Sequence, residues 1–293
     1  MFGRRRVSRM PAVAAVAGRF GRDLGACLQQ VERAVERARA RGAGLVVFPE
    51  STLGGYLFET RLPALRPPVA PPPALELGGE EMARLARVAG PTVVCVGYTE
   101  AGPGGPYSSA VCVSGDGVLG HHRKVHLPPG ERAVFAAGRE FAAFDTPLGR
   151  MGMLICYDKI FPEAARDLAL DGAGIIASLA AWPTCRTQPA PMTRHDREVR
   201  HFNLLDQARA LENQVVWVSA NQTGRLGRLR FPGQAKVVDP GGRVLSQTGS
   251  RAGTAIARVD SGRAVDAARR EFSHLADRRP YAYGLGPPAA PVI

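Results

Sequence analysis

Short apolar runs of the length of buried strands alternate along this chain with amphipathic stretches and tight turns. Residues 12–17 and 45–48 are continuous apolar runs, and between them apolar residues follow helical spacing after Asp23, which can cap a helix. Turn sequences such as residues 114–117 (SGDG) separate other strand-like runs, as they do in hairpins. Strand–helix units mixed with hairpins predict an α/β fold in which mixed sheets are covered by helices.

The same patterns predict the remaining elements and the domain organisation. Helices are expected at 80–89, 164–170, 194–213 and 263–272, and strands at 92–98, 107–113, 118–124, 141–146, 150–155, 175–179, 214–220, 234–239, 243–247 and 254–259. Residues 224–230 are interpreted as an arginine-rich loop. No repeat or long polar linker divides the chain, so we predict one domain over residues 11–283. A basic extension at 1–10 and a Pro/Gly-rich tail at 284–293 flank it.

Composition excludes several classes of protein. With 293 residues, 45% hydrophobic and 22% charged, the chain can bury a large core and is not a disordered protein. No apolar run approaches the roughly 18 residues of a spanning helix, so no membrane partner is expected. The net charge is +12, and only three of the 38 basic residues are lysines. The arginines do not interleave with aromatics as base-stacking surfaces would, so no nucleic-acid partner is expected.

The five cysteines indicate the compartment. They are Cys27, Cys95, Cys112, Cys156 and Cys185. An odd number without a Cys-x-x-Cys pair is typical of neither a disulfide framework nor a zinc site. The pattern predicts a reducing compartment, and we expect the protein in the cytoplasm.

Three polar residues follow strand-like runs, where layered α/β folds deliver side chains to a cleft. They are Glu50, Lys124 and Cys156. A cysteine between a strand and a helix N-terminus lies in an electropositive setting, which is expected to favour its thiolate. Each residue also has an ordinary interpretation, since Cys156 can be a small buried hydrophobe, Glu50 a cap and Lys124 a solvated strand residue.

Other chemistries lack their motifs. His122, Lys124 and His126 share one face at strand spacing, but a lysine between two imidazoles repels a metal ion, so no metal site is expected. No G-x-S-x-G elbow or phosphate-binding loop is present in the sequence.

A set of short segments in a fixed order is the most specific signal in the chain. The segments are 45–50 (LVVFPE), 122–127 (HRKVHL), 154–158 (LICYD), 161–163 (FPE), 210–213 (ALEN), 219–222 (SANQ) and 233–240 (GQAKVVDP). Glu50 lies 74 residues before Lys124, and Cys156 lies 32 residues after it. From about residue 11 to 283, this set resembles the nitrilase superfamily of carbon–nitrogen hydrolases.

The resemblance implies a fold, an assembly and catalytic roles. It implies a four-layer α-β-β-α sandwich with two mixed sheets, paired into a homodimer or larger assembly through the helices near the nucleophile and the C-terminal tail. Cys156 would attack the substrate carbon, Glu50 would be the general base, and Lys124 would stabilise the oxyanion with the backbone N–H of Tyr157. Glu131 matches the second glutamate of the family, which positions the substrate. No metal or organic cofactor is implied.

The residues after the cysteine bear on the reaction. Nitrilases of the family generally show Cys-Trp-Glu, whereas this chain has Cys156, Tyr157 and Asp158, which resembles amidases and carbamoylases. The expected reaction is hydrolysis of a small-molecule amide or N-carbamoyl group through a thioester. A nitrilase and a non-catalytic binding relative remain alternatives.

The substrate-binding residues are expected among four positions that the resemblance places near the pocket. They are Tyr56, Tyr157, Trp182 and Asn221. A packing role is open for Trp182. Arg225, Arg228 and Arg230 are either a solvated loop or a receptor for a substrate carboxylate, and no residue specifies the acyl chain.

Overall fold

The computed structural model describes residues 10–57 and 71–284. The strands are β1 (Ala12–Gly18), β2 (Ala43–Val47), β3 (Ala74–Leu75), β4 (Val93–Glu100), β5 (Tyr107–Ser114), β6 (Gly117–Arg123), β7 (Phe144–Thr146), β8 (Gly149–Ile155), β9 (Ile175–Ala180), β10 (Val216–Leu226), β11 (Leu229–Pro232), β12 (Lys236–Val238), β13 (Val244–Gln247) and β14 (Gly253–Arg258). The helices are α1 (Leu24–Ala40), α2 (Glu80–Ala89), α3 (Pro162–Leu170), α4 (Arg197–Asn213) and α5 (Ser261–Arg269). The predicted C-terminal tail apart from Gly284, and the N-terminal extension apart from Met10, lie outside the described residues.

The strands form two stacked mixed sheets that are hydrogen-bonded at one corner. One runs β6-β5-β4-β2-β1 and the other β10-β9-β8-β7, with parallel pairs at the centre and antiparallel pairs at the outer edges. The corner is a short parallel contact in which Ala17 pairs with Asn221 and Gly18 with Gln222. The corner therefore brings the carboxyl ends of the central strands of both sheets together, where a site is expected.

Three apolar layers hold the sheets and helices together. Between the sheets, side chains of the first sheet such as Val47 and Cys95 pack with Met153, Ala177 and Val218 of the second. The outer face of the first sheet is covered by α1 and α2, and that of the second by α3 and α4. This arrangement is the predicted α-β-β-α sandwich, and the prediction of the fold is confirmed.

One predicted element is wrong. Residues 224–230, interpreted as a solvated loop, continue β10 and turn into β11, so that Arg225 pairs with Arg230 across an antiparallel hairpin. Gly227 occupies the turn with φ 56°, a conformation that glycine adopts at little cost. The arginines led to the prediction of a loop, because charged residues are uncommon in strands. They are tolerated on an exposed two-stranded ribbon.

The described ranges contain no helix that is both long and apolar enough to cross a membrane.

The cap of α1 provides a test of the fold. Asp23 accepts a hydrogen bond from Ala26 N at 2.9 Å, as the sequence predicted. Asp23→Ala should lower the free energy of unfolding by about 1 kcal/mol, measured by denaturant unfolding, because a helical N–H loses its acceptor. Asp23→Asn keeps a side-chain oxygen and is the matched control. Equal losses in both variants would contradict a capping role.

Candidate active site

Glu50 is held rigidly at the end of the segment that follows β2. Its Oε1 accepts hydrogen bonds from Lys124 Nζ at 2.7 Å and Ser108 Oγ at 3.2 Å, and its Oε2 accepts from Ala181 N at 2.9 Å. The adjacent strand β4 carries Gly97 at this point. A Cβ on Gly97 would lie 2.7 Å from Glu50 Cα, so glycine is required for this close approach.

Lys124 lies one residue beyond β6 and is fully buried. Besides Glu50, its Nζ donates to both carboxylate oxygens of Glu131 at 2.7 and 2.8 Å. The Tyr56 hydroxyl donates to Oε1 of the same carboxylate. The structure thus brings together Glu50, Lys124 and Glu131, which we call the acidic trio because it has two carboxylates and one ammonium.

Cys156 is the residue at which β8 ends and a 3₁₀ helix, Cys156–Ile160, begins. Its φ is 49°, in the left-handed region that non-glycine residues rarely occupy. Backbone strain of this kind persists only where the surrounding structure enforces it, and it concentrates at functional sites. The strain therefore singles out Cys156 among the five cysteines, all of which are free and buried.

The ionisation of the site departs from the expectation that the surroundings of Cys156 favour its thiolate. Burial raises the pKa of the Cys156 thiol well above its ordinary value, and the charges of Glu50 and Glu131 raise it further, against the opposing effect of Lys124. The resting group is therefore a thiol that needs a base. The helix after Cys156 is a single short 3₁₀ segment, which is too weak a dipole to reverse this.

The other charges of the acidic trio are set by burial and by one another. Burial opposes the charge of Lys124, but Glu131 and Glu50 raise the pKa of its ammonium above the ordinary value, so it remains charged. Burial raises the pKa of Glu131 to about 7, with Lys124 acting in the opposite direction. Glu131 therefore changes its protonation near neutral pH.

His122 and His126 both contact the carboxylate of Asp158. His122 Nε2 lies 3.1 Å from Asp158 Oδ2, and His126 contacts Oδ1 through its ring Nδ1 at 3.0 Å and its backbone N at 2.8 Å. Asp158 follows Cys156 by two residues, so these contacts fasten the turn that begins at Cys156 to the segment after β6. No group of side chains suited to a metal ion occurs among residues 10–57 and 71–284.

A cavity of about 510 Å³ opens above Cys156. Tyr56, Tyr157 and Trp182, three of the four predicted substrate-binding residues, line it together with Cys156. Asn221 does not, because its side chain is buried behind the wall, where Oδ1 accepts from Trp182 N at 2.8 Å and Nδ2 donates to Gly233 O at 2.9 Å. Asn221 thus holds the backbone that carries Trp182.

The arginines of the β10–β11 hairpin lie beside this cavity, not in it. Arg225, Arg228 and Arg230 line a second space of about 280 Å³ together with Arg186. Both spaces share the wall formed by residues 184–186. A carboxylate-bearing end of a substrate would have to extend past that wall to meet these side chains.

Sequence reasoning missed several residues that build the site. Ser108 and the backbone N–H of Ala181 hold Glu50, but no motif distinguishes a buried serine or an alanine amide from ordinary strand residues. The sequence reasoning also gave no role to Lys159, Lys236 or Asp206. For Lys159 and Lys236, the rarity of lysine in the chain was the available signal.

Comparisons with known proteins agree with the geometry. A family model described as Carbon-nitrogen hydrolase matches residues 12–269. The chain is 35% identical over 221 residues to a "Nitrilase" of Pyrococcus abyssi, covering 74% of this chain and 76% of that protein. It is 33% identical over 239 residues to an "(R)-stereoselective amidase" of a Pseudomonas species, covering 80% of this chain and 79% of that one.

A solved structure shows the same fold at lower identity. The carbon-nitrogen hydrolase of Helicobacter pylori matches with a TM-score of 0.80 at 23% identity, covering 94% of this chain and 97% of that one. The family match spans both sheets and every segment that contributes to the acidic trio and Cys156. The chain belongs to the carbon–nitrogen hydrolase family.

Proposed function

We propose that this protein hydrolyses a non-peptide carbon–nitrogen bond of a small molecule, either an amide or an N-carbamoyl group, through a thioester on Cys156. The observation that carries the proposal is a strained cysteine that lines a cavity and whose thiol is subject to the charges of a buried Glu–Lys–Glu cluster. Membership in the family and the amidase among the relatives support it.

The first half of the reaction forms the thioester. Cys156 Sγ attacks the amide carbon while its proton passes to Glu50, which the Ala181 N–H and Lys124 hold in place. The oxyanion that forms is stabilised by the Lys124 ammonium and the backbone N–H of Tyr157. When the carbon–nitrogen bond breaks, the leaving amine or ammonia takes the proton from Glu50.

The second half releases the acid. Glu50 removes a proton from water, whose oxygen attacks the thioester carbon, and the second oxyanion occupies the same positions. The carbon–sulfur bond then breaks, the carboxylic acid departs, and the proton returns to Cys156. Glu131, fixed by Lys124 and Tyr56, orients the substrate nitrogen. These steps use side chains and backbone groups of this chain alone.

A nitrilase reaction is the alternative. The relative from Pyrococcus abyssi is named a nitrilase, and the same thiol can attack a nitrile carbon. The Cys156-Tyr157-Asp158 sequence favours the amide.

Cys156 provides the central test. Cys156→Ala should reduce ammonia release from an amide panel by at least about 10³-fold, because no other group can form the thioester. The panel includes small aliphatic amides, N-carbamoyl amines, ω-amides of dicarboxylates and the matching nitriles. Mass spectrometry of the wild type should find the acyl adduct on Cys156.

Cys27→Ala is the control, because Cys27 is buried in the layer between α1 and the first sheet and should leave turnover unchanged. An adduct on another cysteine, or activity that survives Cys156→Ala, would contradict the proposal. Turnover of nitriles without turnover of amides would select the alternative.

The pKa of Glu131 predicts the pH dependence. Since this pKa is about 7, the carboxyl is protonated below neutral pH and ionised above it. The ionised form accepts hydrogen bonds from Lys124 and Tyr56, so we expect kcat/KM to rise as pH increases through about 7. Glu131→Gln should lose this rise and roughly tenfold or more in kcat/KM.

Tyr56→Phe is the matched variant for this prediction. The Tyr56 hydroxyl lowers the pKa of Glu131 by donating a hydrogen bond, so its removal should move the midpoint to higher pH. If kcat/KM of Glu131→Gln still rose with pH through the same midpoint, the rise would have to be assigned to another group.

We also propose that two copies of the chain associate through the helical face of the second sheet. Large apolar side chains lie exposed there and near the C-terminus: Leu170, Leu204, Leu211, Phe272 and Tyr281. Large apolar side chains exposed on one face make that face a candidate interface.

The free cysteines, among which Cys95 and Cys112 face each other on β4 and β5 without a disulfide, support a cytoplasmic location.

The proposed interface is tested at Leu204, whose side chain is 65% exposed on α4. Leu204→Glu should convert a dimer to a monomer in light scattering, because a charge at the interface must be desolvated. Val118→Glu is the control, since Val118 is exposed on the opposite sheet. A wild type that is monomeric at micromolar concentration, or a dimer that persists in Leu204→Glu, would contradict the interface.

A further inference from the structure

Two lysines share a single carboxylate in the core of the protein. Lys159 Nζ lies 2.8 Å from Asp206 Oδ1, and Lys236 Nζ lies 2.6 Å from Oδ2. Trp217 Nε1 also donates to Oδ1, at 2.9 Å. All three charged side chains are fully buried. We call Lys159, Asp206 and Lys236 the basic trio.

The basic trio has one positive charge in excess. Asp206 is the ion-pair partner of both ammonium groups within the described residues. The ring of Phe202 also lies against both ammonium groups, with its centroid 3.2 Å from Lys159 Nζ and 4.3 Å from Lys236 Nζ. A buried charge without a carboxylate partner is costly, so an arrangement of this kind requires a compensating charge nearby.

The acidic trio has the opposite composition. When ionised, Glu50 and Glu131 carry two negative charges against the single positive charge of Lys124, and all three are fully buried. Each trio alone therefore places a net unit charge in the core, and the two charges have opposite signs.

Cys156 connects the two trios. It begins the 3₁₀ helix that carries Lys159 about one turn later, roughly 6 Å along the helix axis. Trp182 lies on the same side, since it lines the cavity with Cys156 while its ring centroid is 5.3 Å from Lys159 Nζ. Phe202 packs against Trp182 with centroids 6.0 Å apart, so the basic trio lies directly behind the wall of the cavity.

Lys159 responds to the charge of the site. Burial lowers the pKa of its ammonium to about 8, against the opposing effect of Asp206, and negative charge on Cys156 acts to raise it. Formation of a thiolate therefore stabilises the charge of Lys159, and by reciprocity the charge of Lys159 stabilises the thiolate.

We propose that the basic trio positions and balances the charge of the nucleophile: its excess positive charge offsets the excess negative charge of the acidic trio and so stabilises the thiolate and the oxyanion that form at Cys156. The proposal rests on the proposed role of Cys156 as the nucleophile. Lys159, Asp206 and Lys236 act through Cys156 and do not touch the substrate.

Other charged groups also face this region and have to be kept constant. They are Glu50, Lys124, Glu131 and Tyr56 on one side of the cysteine, Asp158 with His122 and His126 on its own turn, and Arg209 of α4, which donates to the backbone oxygens of Lys159 and Ile160. The variants below leave all of them in place.

The test measures the thiol directly. Iodoacetamide alkylates a thiolate by forming a sulfur–carbon bond as iodide leaves, so its rate against pH reports the pKa of Cys156 when the modified peptide is followed by mass spectrometry. Below about pH 8, where Lys159 carries its charge, Lys159→Met should slow alkylation about tenfold, because the excess positive charge that favours the thiolate is lost. This corresponds to a rise of about one pH unit in the midpoint extrapolated from that pH range.

Two matched variants separate charge from packing. Lys236→Met removes the same charge from β12 and leaves the turn of the nucleophile intact, and it should raise the midpoint in the same direction. Lys159→Arg keeps the charge and should leave the midpoint within a few tenths of a unit of the wild type. Circular dichroism and thermal unfolding establish that each variant is folded.

The alkylation experiment can fail or succeed independently of the test of amide hydrolysis. Alkylation needs no substrate, so loss of amide turnover in the wild type would refute the hydrolase proposal without changing this result. Wild-type midpoints in both Lys159→Met and Lys236→Met would overturn the charge balance. The charge balance would also be overturned if the midpoint shifted equally in Lys159→Met and Lys159→Arg but not in Lys236→Met. That result would assign Lys159 a packing role.

Discussion

Lys124 carries its charge into a part of the core that is closed to solvent, and it keeps that charge because oxygens of Glu50 and Glu131 lie within 2.8 Å of its Nζ. Removing Lys124 would leave two buried carboxylates without the ammonium that they share. The segments after β2 and β6 and the turn that holds Glu131 must therefore converge within tenths of an ångström. The backbone beside Lys124 is packed accordingly closely. A Cβ on Gly138 would lie 2.1 Å from the backbone oxygen of Arg123, the residue before Lys124.

The corner where the two sheets join places these segments against the cysteine. Gln222, at the corner of β10, donates to Glu50 O at 3.1 Å and accepts from Phe20 N, so it links the ends of three strands. Ala181, just beyond β9, binds Glu50 directly. The site is therefore assembled from both sheets, and a change in their relative position would separate Glu50 from Cys156.

Local patterns in the sequence predicted most of the elements and singled out Glu50 and Lys124 at strand ends, because strand periodicity and the Asp23 cap are encoded by neighbouring residues. Glu131 followed only from the resemblance to a family. Three features could not be predicted in this way. The resting thiol depends on burial between carboxylates, the displacement of Asn221 behind Trp182 depends on a contact across two strands, and the pairing of Lys159 with Lys236 through Asp206 joins three distant segments. Each is a property of tertiary packing that no local pattern records.

Arginine supplies the basic surface of this molecule, whereas all three lysines are fully buried and bound to carboxylates. An ammonium in that position is shielded from reagents as well as from water. Amine-directed cross-linkers, acetyl donors and lysine-conjugating enzymes therefore find no lysine side chain on the folded surface. The appearance of a reactive lysine would report that the core around Cys156 had opened.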